Sequence, residues 1–162
     1  MKGENKYTVD DAQRFFGIEF NNTVFKLAEK ETLSTLEKEE IIQTAHASVL
    51  HWQKFPKSTI ANSQRGYYMV AKAYVVVGEK ENALKYAKLC YEITQENSNE
   101  LFDWDLAYSY EMMARTAAMN NDKASFDLFY KKTKEQELRI KDKGDLKYFS
   151  ADFAGGNWFN FI

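Results

Sequence analysis

The side chains able to do chemistry are few and scattered. His46 and His51 stand five residues apart, about 140° around a helix, so they do not form the i, i+4 pair with which a helix holds zinc. Neither Cys-x-x-Cys nor His-Glu-x-x-His occurs, so no metal site and no cofactor are expected. Ser48 lies between the two histidines, and that neighbourhood alone makes no triad. Asp103 and Asp105 flank Trp104 at an expected helix start, where carboxylates answer the positive end of the dipole. Gly155-Gly156 lacks the following Lys-Ser or Lys-Thr of a phosphate-binding loop and reads as a turn. Cys90, the only cysteine, falls on an apolar stripe and reads as a buried structural thiol. His46 sits beside the stripe running from Ile41 to Trp52, where a hydrogen-bonded core histidine is the plainer alternative to a ligand or general base. No catalytic residue is assigned.

The scaffold for these groups is organised around Arg65 to Asn97, which reads as a helical hairpin. Tyr67, Val70, Ala71, Tyr74 and Val77 fall at i, i+3, i+4, i+7 and i+10, and Ala83, Tyr86, Ala87, Cys90 and Ile93 repeat that spacing. Gly78 marks the turn between them, since helices commonly end on a residue able to take positive φ. Upstream, Thr8 with Asp11 caps a first helix that carries Phe16, Phe20, Val24 and Leu27 on one face and ends near Lys30. Ser34 with Glu37 has capping-box spacing for a second helix, which Pro56 closes near Phe55. Ser58 or Thr59 caps the third.

Downstream, the polar run Ser98-Asn99-Glu100 is expected to start helix five, and helix six covers about Asp122 to Lys141. One more turn, Asp145 to Phe149, follows Gly144. The last segment, about 145–162, is an aromatic tail: six aromatic residues lie from Tyr148 onward, too many to leave in water. It covers the last hairpin's apolar face, lies in a groove, or docks on another chain. The expected fold is all-α: six long helices in three antiparallel hairpins, one domain over 1–162.

Tyr67, Val70, Ala71, Tyr74, Gly78 and Ala83 stand where the tetratricopeptide repeat places its aromatic, leucine-like, small, aromatic, glycine and alanine residues, so the hairpin resembles that family. Tyr110, Met113, Ala114, Ala117 and Asn121 repeat Tyr67, Val70, Ala71, Tyr74 and Gly78 at an offset of 43. The wider pattern, His46-Ala-Ser, His51-Trp52, Arg65-Gly66 and Ala107-Tyr108-x-Tyr110-Glu111, is similar to a set of uncharacterised small bacterial TPR-like proteins. The resemblance implies a right-handed stack of hairpins whose first helices line a concave groove. Arg65, Tyr68 and Lys72 share one helix face, and the same register 43 residues later gives Tyr108, Glu111 and Arg115. By resemblance these six would face a ligand, with tyrosines for area and Arg and Lys for a carboxylate. The alternative is packing alone, through an ion pair between Arg65 and Glu111.

Composition narrows the function classes. With 22 basic against 24 acidic residues, no basic excess advertises nucleic acid or an anionic membrane. No apolar run is long enough to span a bilayer, and the first residues lack a signal peptide's apolar core, so a cytoplasmic protein is expected. The leading expectation is a non-catalytic module that binds a protein or peptide in its groove. One rival is a small-molecule pocket or enzyme around His46, Arg65 and Glu111; another is a self-associating protein, a homodimer completed by the tail.

Overall fold

A computed structural model describes residues 7–162, and every described element is helical. The helices are α1 Val9–Ala28, α2 Thr35–Lys54, α3 Ile60–Val77, α4 Lys80–Glu96, α5 Asp103–Met119, α6 Lys123–Glu137 and α7 Lys143–Ala154. Each of α1 with α2, α3 with α4 and α5 with α6 packs as a close pair joined by a short connection, which makes the partners antiparallel. Successive pairs meet through α2 with α3 and α4 with α5, while α1, α3 and α5 also touch in turn. Between α2 and α4, and between α4 and α6, the backbones stay apart and only long side chains meet, as His46 meets Tyr86 and Tyr91 meets Phe129. One core cluster draws on every helix, from Val24 and Ile41 through Val70, Ala87 and Met112 to Phe126, Phe149 and the tail residue Trp158.

The caps explain the boundaries. The Thr8 hydroxyl accepts from Asp11 N while Thr8 N donates to the Asp11 carboxylate, and Ser34 and Glu37 do the same at α2. Burial of α4 rests on small residues: Ala83, Ala87 and Cys90 are fully buried against α3 and α5. Gly78 takes φ 89° and Asn121 φ 57°, and both belong to the same backbone motif. Glu79 N donates to Tyr74 O and, 43 residues on, Asp122 N donates to Ala117 O, each at 2.9 Å. The sequence offset thus reappears in this shared bond, although α3 ends at Val77 and α5 one position earlier in the register, at Met119.

Four expectations shift. Helix α5 starts at Asp103 rather than in the Ser98 to Glu100 run, because the Asp105 carboxylate binds Phe102 N at 3.1 Å and fixes the first turn there. Helix α6 stops at Glu137, which lets the chain turn and bury Ile140. The single turn after Gly144 is a twelve-residue helix. Gly144 sits in its first turn, where the Asp142 carboxylate accepts from Gly144 N and Asp145 N, so the glycine breaks nothing. On α1, Phe16 is 40% exposed, though its ring and that of Phe20 lie 5.4 and 5.5 Å from the His51 ring of α2; α1 also approaches α2 at Gly17, where a Cβ would come 2.9 Å from the Trp52 ring. Among the described residues no helix is long and apolar enough to cross a membrane.

Candidate functional site

The α3 triplet Arg65, Tyr68 and Lys72 and the α5 triplet Tyr108, Glu111 and Arg115 lie on adjoining faces, because α3 and α5 touch side by side. The Tyr68 and Tyr108 rings meet edge to face at 5.2 Å. The Tyr68 hydroxyl donates to Glu111 Oε2 at 3.3 Å. Burial raises the pKa of both tyrosines, and the Asp152 contact raises Tyr108 further, so both hydroxyls keep their protons and act as hydrogen-bonding groups.

His46 is separate from this surface. Its Nε2 lies 3.2 Å from the Tyr74 hydroxyl, and its ring packs on Tyr74 and Tyr86 between α2, α3 and α4. Burial, then the Lys85 charge, lowers its pKa. The pocket envisaged around His46, Arg65 and Glu111 is therefore not assembled, since His46 lies on a different side of α3. Cys90 is likewise sealed, its thiol pushed up to about 12 by burial, which removes the thiolate a nucleophile needs.

Nor does Arg65 pair with Glu111. Arg65 Nε and Nη2 donate to the two oxygens of Asp105 at 2.8 and 2.9 Å, and the guanidinium lies 4.2 Å from the Trp104 ring centre. Asp105 is only 1% exposed. The register explains the substitution: Arg65 lies opposite the start of α5, and Glu111 is six residues, about 9 Å, further along that helix. Asp105 thus serves twice, as a cap acceptor and as the arginine's partner. Its place near a helix start was readable in the sequence; its N3 position and its pairing across helices were not.

Glu111 instead pairs with Arg115 one turn away, both almost fully buried. The remaining donors of Arg115 reach into the tail: Nη2 donates to Asp152 O and Gly155 O at 2.9 and 2.8 Å, and Nη1 to Asn157 O at 3.2 Å. The guanidinium thereby neutralises the carbonyl end of α7. Trp158 covers it at 4.1 Å and packs against Tyr130 and Phe153 at 5.5 and 5.6 Å. Gly156, at φ 75°, passes so close that a Cβ there would lie 2.7 Å from Arg115 Nη1. Tyr108 adds a bond from its hydroxyl to Asp152 Oδ2 at 2.6 Å. The tail therefore seats on its own α5 and α6.

What stays open is a cleft of about 680 Å³ between the carbonyl end of α1 and the tail, floored by Tyr68, Lys72, Glu111 and Arg115. An apolar compartment of about 240 Å³, walled by Phe25, Tyr68, Met69, Trp104 and Tyr108, adjoins it, and Phe25 and Tyr68 line both. Lys72 Nζ stands 5.1 Å from the Phe25 ring centre, at this seam, and forms no ion pair among the described residues. Phe25 falls outside the α1 core stripe, so nothing in the sequence marked it as a wall. A further hollow of about 700 Å³ over Tyr7, Phe15 and Phe16 is lined by the first part of the chain alone and holds none of the six residues. Among the described residues no group of three or more His, Cys, Asp or Glu is arranged to hold a metal. Comparison with family models, curated proteins and solved structures gives no match.

Proposed function

We propose that the chain is a single-domain, TPR-like right-handed stack of three antiparallel hairpins, closed by α7 and the aromatic tail. Its role on this reading is non-catalytic: the cleft over α3 binds a segment of a protein partner. The support is the unequal use of the six residues. Arg65, Glu111 and Arg115 are committed to internal ion pairs, whereas Lys72 has no ion-pair partner among the described residues and stands beside an apolar compartment sized for one or two side chains. The pairwise contact of α1, α3 and α5 suits a stack whose first helices share one face.

The test is capture from the native host's lysate on immobilised protein, compared with Lys72→Glu and Asn21→Trp. Asn21 borders the apolar compartment and is partly exposed, so tryptophan there obstructs the entrance with little cost to the core. One protein retained by the wild type and lost by both variants at unchanged melting temperature is the expected result. Equal capture by all three would place the interaction elsewhere.

A further inference from the structure

Resting on that reading, the charges around the cleft specify the occupant further. Two helices present their carbonyl ends there. At α7 the negative end of the dipole is neutralised by Arg115, which also consumes Glu111. At α1, among the described residues, no side chain binds the last carbonyls, and Lys26, the basic residue of its last turn, does not line the cleft. Ala28, Glu29 and Glu31 bring that helix end to the rim, and Lys30, the one cation among them, is paired with Glu37. With the internal pairs set aside, Glu29, Glu31 and Asp152 face one cation among the described residues, Lys72. The cleft is net acidic, and the negative end of the α1 dipole adds to it.

We propose that the cleft takes a peptide segment carrying a large apolar side chain with a lysine or arginine nearby in sequence. The apolar side chain enters the compartment between Phe25, Met69 and Trp104. The cation lies against Glu29 and Glu31 at the end of α1, doing there what Arg115 does at α7. Lys72, held at the seam over the Phe25 ring, faces the main-chain carbonyls of the segment and disfavours a basic group at that point. This reverses the expectation that Arg and Lys on this face hold a carboxylate: both arginines already hold one of the protein's own.

Selection from a displayed random-peptide library on the full chain tests this. Expected are peptides with Trp, Phe, Leu or Met close to Lys or Arg, depleted in Asp and Glu. A synthetic copy of the enriched peptide should bind Glu29→Lys/Glu31→Lys about tenfold more weakly and should weaken with added salt. Asn21→Trp should lose the peptide. Both glutamates are exposed, so equal melting temperatures will show the charge variant is folded. Enrichment of acidic or uncharged peptides, or indifference to charge reversal, overturns this inference and leaves the peptide-binding reading standing. Failure to enrich any peptide that Asn21→Trp loses overturns both.

Discussion

Lys72 and Arg115 occupy the same register on α3 and α5, 43 residues apart, yet one edges an open cleft and the other is 6% exposed under the tail. The difference lies in what the chain does next. After α6 it returns as α7 and brings three carbonyls to Arg115, whose planar fork can serve several acceptors at once. Among the described residues no later segment returns over this face of α3, and the lysine there forms no ion pair. Register alone therefore says which face a residue is on, while the element that follows decides whether the face is groove or core.

That contrast predicts unequal costs for matched substitutions. Arg115→Ala strands Glu111 and three tail carbonyls and should cost about 3–5 kcal/mol in urea unfolding; Lys72→Ala should change stability by less than about 1 kcal/mol. Equal costs would erase the distinction between the two halves. Trp158→Ala, which uncovers Arg115, Phe126 and Tyr130, should cost about 3 kcal/mol, and deletion of Asn157 to Ile162 should expose the same surface and promote aggregation. An unaltered melting temperature after truncation would mean that the tail stabilises nothing.

Smaller effects sharpen the picture. In double-mutant cycles Arg65 and Asp105 should couple by about 1 kcal/mol or more, while Arg65 and Glu111 should be additive within about 0.5 kcal/mol. Strong coupling in the second cycle would contradict the observed partners. The smallest effect concerns the far side of α3. Burial and the Lys85 charge hold the His46 pKa below its ordinary 6.5, so the unfolded chain takes the proton first as pH falls. The contribution is present above that ordinary value and is lost as pH drops through the folded pKa. His46→Asn should flatten the stability profile between about pH 7.5 and 5.5; a parallel slope would show that His46 titrates alike in both states.

Local chemistry was legible in the sequence. Thr8 with Asp11, Ser34 with Glu37, and Gly78 all stand where they were expected, because caps and stops depend on residues within four positions. The offset linking Gly78 to Asn121 was legible for the same reason. What escaped were partners some 40 residues apart. Asp105 showed itself only as a carboxylate suited to a helix dipole and hid both its capping bond and its arginine, and Arg115 gave no sign of reaching Asn157. Periodicity marks a face without saying how far one helix slides along another, and that slide gave Arg65 to Asp105. Helix α7 was missed because Gly144 reads as a breaker until Asp142 is recognised as the cap that binds its N–H.

Cys90 turns the core into a clock. It is the chain's sole thiol, wholly enclosed, with Ser109 of α5 and Thr94 of its own helix around it. A thiol reagent in excess can react only during the moments when α4 lifts away from α5, so the labelling rate of the native protein counts those openings directly. With Trp52 and Trp104 replaced by Phe, Trp158 reports the other end of the molecule through its fluorescence. Recording both in one sample would show whether the strap over Arg115 loosens many times for each opening at the centre, or whether the two give way as one unit.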